Sequence, residues 1–156
     1  MTSSSLPSPR RLFSFFAAAE MVTWAGLITA LILRASDLTN LVPLAGGIHG
    51  FIFLSYAAVT VMVWINQKWP WPLGATGLAL TLVPFATVPF EIYLKRRGLL
   101  ADTWRLAPGG QKPKTLAEKA LAAFLRRPLV FSLLLLAGLV LVFSILLILG
   151  PPVPKG

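Results

Sequence analysis

The stretch PLVFSLLLLAGLVLVFSILLIL, residues 128–149, indicates the fold class, because serine is its only polar residue type. A hydrocarbon layer about 30 Å thick is crossed by about 20 helical residues. Three further apolar blocks of similar length cover residues 12–33, 44–65 and 73–94. Backbone groups in lipid must pair within the segment, and no block shows the alternation of barrel strands. We therefore predict an all-α membrane protein with four transmembrane helices.

The segments around these blocks divide the chain into four parts. Residues 1–10 lack the apolar content that orders a segment and are predicted to form a flexible tail. Residues 11–97 hold the first three helices, residues 98–127 form a basic connector, and residues 128–156 hold the fourth helix and a short tail. The first block is too long for a signal-peptide core, so we expect it to remain as a helix.

The third block has two features that distort a helix. Pro84 and Pro89 each remove one backbone hydrogen bond, which predicts a bent or locally unwound segment. The preceding segment Gln67-Lys-Trp-Pro-Trp-Pro72 combines helix-stopping prolines with tryptophans that favour the headgroup level. It is predicted to be a turn at the membrane interface.

The connector carries the start signal of a short helix. Thr115 and Glu118 have the spacing of a capping box, in which each side chain bonds the other residue's backbone N–H. Leu116, Ala120 and Phe124, with Leu125 beside them, would then share one face, as in an amphipathic helix lying on a membrane surface. A plain solvated connector fits the same sequence.

Basic residues concentrate between the third and fourth helices, where nine of the fourteen Lys and Arg lie. The positive-inside rule makes loop 95–127 cytoplasmic. With four spans, both termini then lie outside, together with Arg10, Arg11, Lys68 and Lys155, while Arg34 lies on the side of the loop. Arg10 and Arg11 on the outer side run against the rule. We assign the net charge of +9 to orientation and to lipid headgroups, not to nucleic acid. The residues expected to contact headgroups are Lys95, Arg96, Arg97, Lys119, Arg126 and Arg127.

The sequence offers no catalytic constellation. It contains no cysteine, which excludes thiolate metal sites, iron–sulfur clusters and c-type haem attachment in this chain. No nucleophile with an attendant base is visible, and no residues have the spacing of a known metal motif. We therefore expect no catalytic, cofactor-binding or metal-binding residues and no enzymatic activity.

Three ionisable residues fall inside the apolar blocks: Glu20, His49 and Glu91. Each costs a few kcal/mol against hydrocarbon and should face protein or a wet cavity. Counting helical rise places His49 and Glu91 at the same cytoplasmic end, which predicts that they lie near one another. The three residues form either a proton or cation site or a hydrogen-bonded lock on helix register. Gly46 and Gly50, four apart, predict close helix packing.

Residues from about 11 to 97 resemble a known family. The matching features are Arg11-Leu-Phe13, Glu20 followed by Trp24, the run at 47–50, Trp71-Pro-Leu-Gly74 and Pro89-Phe-Glu91. They are similar to small bacterial integral-membrane proteins grouped as domain of unknown function three-eight-one-seven. The resemblance implies a three-helix unit in the bacterial plasma membrane, with the fourth helix and the basic loop beyond it.

The resemblance also implies a role. Some actinobacterial members are accessory subunits beside the cytochrome c oxidase arm of a respiratory supercomplex with the cytochrome bc complex. On that basis we expect a non-catalytic accessory subunit without haem or copper ligands. Its expected partners are other membrane subunits, such as those of cytochrome c oxidase. The alternative hypothesis is a small proton-coupled or cation transporter that uses Glu20, His49 and Glu91.

Overall fold

The computed structural model describes residues 6–150, and every regular element in that range is helical. Helices α1 and α2 are long and antiparallel, α3 and α4 are short and separated by a 3-10 turn and a break, and α5 precedes the long α6. Their bounds are α1 Pro9–Ala35, α2 Val42–Gln67, α3 Trp71–Ala79, a 3-10 helix Leu80–Leu82, α4 Thr87–Arg96, α5 Leu116–Arg126 and α6 Pro128–Leu149. The all-α class is confirmed.

Three helices, α1, α2 and α6, are long and apolar enough to cross a membrane. They correspond to the first, second and fourth predicted blocks, and α1 and α2 extend two to three residues beyond each predicted bound. The count of four spans is not confirmed, because the third block does not form one continuous helix.

The third block doubles back on itself. The α3 helix packs along α2, with Gly74 against Trp64 and Gly77 against Thr60. It therefore runs inward from the end of the bundle where α2 finishes. The indole Nε1 of Trp24 donates to the carbonyl of Thr81 at 3.3 Å, which marks the depth the segment reaches. Trp24 is thirteen positions beyond Arg11 on α1, or about 20 Å by helical rise.

After the break, α4 returns to the end where α3 began. Thr87 Oγ1 donates to the carbonyl of Ala17 at 3.0 Å, and the Glu91 carboxylate accepts a bond from Ser14, so α4 runs toward the start of α1. The residues just before α3 and just after α4 are joined, because Trp69 Nε1 donates to the carbonyl of Leu99 at 2.9 Å. Residues 71–96 thus form a re-entrant hairpin, and we call residues 82–86 its tip.

The predicted distortion at the prolines is confirmed, and it is larger than a bend. Val83 has an extended conformation and Phe85 has a positive φ of 64°, so the helical ladder stops between Leu82 and Thr87. Pro84 lies inside this break and cannot donate a backbone hydrogen bond. The chain turns at this point instead of continuing across.

The connector folds onto the same end of the bundle. Leu100, Trp104 and Leu106 are buried there. The Trp104 Nε1 donates to the carbonyl of Pro7 at 2.8 Å, and Arg10 pairs with Asp102 at 3.1 Å. Of the tail predicted to be flexible, Pro7 and Arg10 therefore contact the connector, and residues 1–5 lie outside the described range.

The hairpin changes the predicted sidedness of the basic residues. Because the chain returns after α4, the N-terminal end of α1 and the connector lie at one end of the molecule, which we call the basic end. The prediction that Arg10, Arg11 and Lys68 lie opposite the loop is wrong. All described Lys and Arg except Arg34 lie at the basic end: Arg10, Arg11, Lys68, Lys95, Arg96, Arg97, Arg105, Lys112, Lys114, Lys119, Arg126 and Arg127. Lys155 is outside the described residues.

The short helix α5 begins as predicted. Thr115 and Glu118 form both bonds of the capping box. Of the predicted face, Leu125 is buried, whereas Leu116 is exposed and Leu121 and Ala122 are buried instead. The buried face also carries Glu118, which accepts hydrogen bonds from Arg105 and Lys114 of the connector.

Candidate functional site

A buried carboxyl group lies in the middle of α1. Glu20 is fully buried, with a relative exposure of 0%, and neither carboxylate oxygen has a hydrogen-bond partner in the described chain. Its nearest ionisable neighbour is His49 on α2, whose Nδ1 is 3.9 Å from Glu20 Oε2. Thr23 Oγ1 lies 3.1 Å from the same ring nitrogen, and the Trp24 ring packs on the imidazole at a centroid distance of 4.5 Å. The structure thus pairs His49 with Glu20.

Glu91 lies in a different environment, nearer the basic end. Its carboxylate accepts a hydrogen bond from Ser14 and forms an ion pair with Lys95 one turn later on α4. Ser14 and Thr23, which mark the levels of Glu91 and His49, are nine positions apart on α1, or about 13 Å.

The prediction that His49 and Glu91 lie near one another at one end of the bundle is wrong, because their levels on α1 differ by about 13 Å. The two side chains share no ion pair or hydrogen bond in residues 6–150. The depth estimate assumed that the third block crosses the membrane, and the hairpin returns Glu91 to the end from which it entered. Of the three predicted intramembrane residues, the structure therefore brings together Glu20 and His49 and places Glu91 apart.

Tyr56 lies between these levels, seven positions beyond His49 on α2, and Thr60 lies one turn nearer the basic end. Both residues are buried, their hydroxyls are close enough to interact with each other, and neither bonds any other group of the described residues. The Tyr56 ring packs against Phe13 at 5.4 Å. Since buried polar groups are nearly always satisfied, orphaned oxygens here indicate a place for internal water.

The predicted packing glycines differ in what they contact. A methyl group at Gly50 would lie 3.3 Å from the Phe143 ring, so Gly50 lets α6 approach α2 closely. A methyl group added at Gly46 would lie 3.9 Å from Leu27 Cδ1, which is an ordinary van der Waals contact. Gly74 and Gly77, which sequence reasoning missed, are more restrictive. Their position in an apolar segment was the available signal, since small residues let membrane helices approach closely.

A second polar network, at the basic end, was also missed. Arg105 donates to the last carbonyls of α2, those of Asn66 at 2.8 Å and Ile65 at 3.1 Å, and to Glu118 Oε1 at 2.7 Å. The backbone N–H of Lys114 and the guanidinium of Arg105 both donate to Glu118 and lower its pKa to about 2. This network fixes the connector and α5 to the end of α2. A lone Arg in a basic loop carries no sequence signal for such a role.

No three His, Asp or Glu side chains lie close enough to hold a metal ion in the part of the chain that the structure describes. What the intramembrane cluster can do chemically is bind protons and water, because it contains a carboxyl group, an imidazole and hydroxyls, all largely hidden from solvent. Glu91 and Lys95 supply a charged pair at its basic side.

Three long apolar helices together with a buried ionisable cluster define a multi-pass integral membrane protein. Residues 10–96 match the family described as Domain of unknown function (DUF3817), and the chain belongs to that family. The matched range covers α1, α2 and the hairpin, the same unit that the sequence resemblance indicated.

Two relatives support this assignment. The chain is 39% identical over 95 residues, 58% of its length, to SCO5905 of Streptomyces coelicolor, a protein named as a membrane protein. It is 31% identical over 80 residues, 51% of its length, to the uncharacterized membrane protein YdzA of Bacillus subtilis. The chain spans 11% of the Streptomyces relative and 72% of the Bacillus one. No solved structure matches the chain.

Proposed function

We propose that this protein is a non-catalytic accessory subunit of a larger membrane assembly, and specifically of a respiratory cytochrome bc and cytochrome c oxidase supercomplex. The observation that carries the subunit role is the bare tip of the hairpin. Irregular backbone at hydrocarbon depth is tolerated only where protein or a water-filled cavity covers it. The tip has irregular backbone, and Leu82, Val83, Pro84 and Phe85 are exposed.

A partner helix against the tip would supply the missing cover. Leu82 and Phe85 offer apolar side chains for that contact, with exposures of 69% and 43%. The carbonyl of Thr81 is already bonded to Trp24, so the side of the hairpin facing α1 is satisfied. The open side faces away from α1 and α2, and a neighbouring subunit is the cover that fits a hydrocarbon environment.

Helix α6 and the Streptomyces relative point the same way. No residue of α6 is buried, so this helix has a large surface for lipid or for another subunit. In the Streptomyces protein the matched unit makes up 11% of the chain, so the same unit occurs there joined to a much longer polypeptide named as a membrane protein. Because this unit is joined to other segments in the Streptomyces protein, we expect it to contact separate membrane subunits in the present case.

The respiratory assignment rests on sequence resemblance, in Trp71-Pro-Leu-Gly74 and in the run 47–50, to actinobacterial oxidase-associated members of the family. The protein would reside in the bacterial plasma membrane. The positive-inside rule then directs the basic end to the cytoplasm, where it would contact anionic headgroups. The residues proposed for that contact are Lys95, Arg96, Arg97, Lys119, Arg126 and Arg127.

Copurification tests the subunit role. The tagged full chain, extracted in mild detergent, is expected to retain a fixed set of membrane subunits that includes cytochrome c oxidase polypeptides. Leu82→Trp should reduce their yield, because the larger side chain would clash with a partner on the tip. Leu44→Trp is the matched control, since Leu44 is 64% exposed on α2, away from the tip. A chain that migrates alone in every detergent would contradict the proposal.

A second candidate function is a small proton-coupled or cation transporter that uses Glu20, His49 and Glu91. The unpartnered carboxyl of Glu20 favours it, because unpaired ionisable groups in membranes commonly mark ion pathways. In reconstituted vesicles, Glu20→Gln, His49→Ala and Glu91→Gln should each abolish a proton or cation flux. If all three leave an observed flux unchanged, this candidate is wrong.

A further inference from the structure

Both carboxylate oxygens of Glu20 are buried and have no hydrogen-bond partner in the described residues. The buried hydroxyls of Tyr56 and Thr60, one turn apart on α2 and nearer the basic end, bond no other group of the described residues. An ionised carboxylate with no donor is the most costly of such groups in an apolar surrounding. The cost falls if the carboxyl group carries a proton and if water bonds the remaining positions. The pattern therefore indicates a proton and water, not a metal ion.

These oxygens connect to the basic end through other polar groups. From the surface inward the order is Lys95, which is partly exposed, then Glu91, then Ser14. Ser14 and Glu20 are six positions apart on α1, or about 9 Å, and Tyr56, seven positions beyond His49 on α2, lies between their levels. We call this series, ordered from the basic end inward, the polar file: Lys95, Glu91, Ser14, Thr60, Tyr56 and Glu20.

We propose that Glu20 is a proton-binding site, a neutral carboxylic acid that exchanges its proton with the basic end through internal water held by Tyr56 and Thr60. In the exchange, the O–H bond of the carboxylic acid breaks and the proton passes to a water molecule of the file. The electron pair stays on Glu20 as a carboxylate. His49, with Nδ1 at 3.9 Å, is the nearest group that can carry a compensating positive charge.

The charged and titratable groups around Glu20 come from two neighbouring helices. On α2 they are His49 and Tyr56, and on α4 they are Glu91 and Lys95. Glu91 and Lys95 form an ion pair, so α4 adds little net charge. The α3 and α6 helices contribute no ionisable residue to the described interior. Of the two carboxyl groups of the file, Glu91 is paired with a lysine, whereas Glu20 has only the His49 imidazole near it.

This inference shares residues with the transporter candidate, but it makes no claim about transport. A proton on Glu20 that exchanges with one side of the membrane requires no flux across it. It is also independent of the subunit role, since the polar file is formed by this chain alone. If experiments rule out the subunit role or the transporter role, the proton-binding site at Glu20 can still be tested separately.

Infrared spectroscopy of the full chain in lipid tests the site. At neutral pH the wild-type spectrum should contain a protonated-carboxyl C=O band that is absent in Glu20→Gln and present in Glu91→Gln. The band should shift in heavy water, and Tyr56→Phe should slow that shift because it removes one hydroxyl of the file. A wild-type spectrum without the band, or a band that Glu20→Gln leaves unchanged, would overturn the proposal.

Chemical labelling tests the same point without any variant. Dicyclohexylcarbodiimide is apolar and reacts with protonated carboxyl groups, so in the wild-type chain it should modify Glu20 and spare Glu91. Peptide mass spectrometry locates the adduct, and labelling should decline as pH rises. Equal modification of both residues, or modification of Glu91 alone, would show that Glu20 is not the protonated group.

Discussion

Gly74→Ala is expected to displace the hairpin from α2. A methyl group at Gly74 would overlap three atoms of the Trp64 indole, whereas carbon atoms in contact are normally about 3.5–4.0 Å apart. The ring has little freedom to move, because its Nε1 donates to the carbonyl of Trp69 at 2.9 Å and it packs on Trp71 at 5.1 Å. Either α3 must shift or the indole must give up these contacts.

The magnitude follows from the competing contributions. Overpacking of a tight site costs about 1–3 kcal/mol, and the severe overlap places this site at the upper end. Loss of the Trp64 hydrogen bond adds about 1 kcal/mol. The higher helix propensity of alanine offsets about 1 kcal/mol of this destabilisation. We therefore expect the free energy of unfolding to fall by about 3 kcal/mol.

Thermal unfolding in detergent, followed by tryptophan fluorescence, measures the effect. Gly26→Ala is the matched control, since Gly26 also lies in a membrane helix and has no atom within 4 Å of an added methyl. It should change stability by at most about 1 kcal/mol, in the stabilising direction. Equal midpoints for Gly74→Ala and Gly26→Ala would refute the proposed packing of α3 on α2.

Two further predictions concern the basic end. Since the chain has no cysteine, single cysteines introduced as Arg11→Cys, Lys112→Cys or Thr39→Cys can each be labelled alone. An impermeant maleimide should label Arg11→Cys and Lys112→Cys from one side of the membrane and Thr39→Cys from the other. Labelling of Arg11→Cys and Lys112→Cys from opposite sides would support the four-span topology instead. The pKa of Glu118 is lowered from 4.5 to about 2, so its contribution to stability is present above pH 4.5 and is lost as pH falls toward 2. Glu118→Gln keeps the capping box, so its melting temperature should fall less between pH 4.5 and pH 2 than that of the wild-type chain. If both chains show the same pH dependence, the contact with Arg105 does not stabilise the fold.

The sequence predicted the helices well because their signal is local. Apolar runs of about twenty residues are enough to place α1, α2 and α6, and the Thr115 and Glu118 spacing is enough to begin α5. The prolines also predicted a distortion in the third block. Whether that distortion bends the helix or reverses the chain depends on contacts of Gly74 and Thr87 with other helices, which local patterns do not contain.

The candidate site was only partly predictable for the same reason. Burial of Glu20, His49 and Glu91 follows from the cost of charge in lipid, and all three are buried. The pairing of His49 depended on which way the third block runs, so the predicted partner was Glu91 and the observed one is Glu20. The Arg105 contacts depend on how the connector folds back, which composition does not show.

The return of the hairpin has a consequence for how this unit combines with other polypeptides. From Arg10 to Arg96 two helices long enough to span a membrane are followed by the hairpin, so this stretch finishes at the basic end, where it began. Such an insert preserves the orientation of everything before and after it. A unit with three crossings would invert every downstream segment. This parity makes the unit easy to place within longer membrane proteins, and it is compatible with a related stretch that occupies only 11% of the Streptomyces protein.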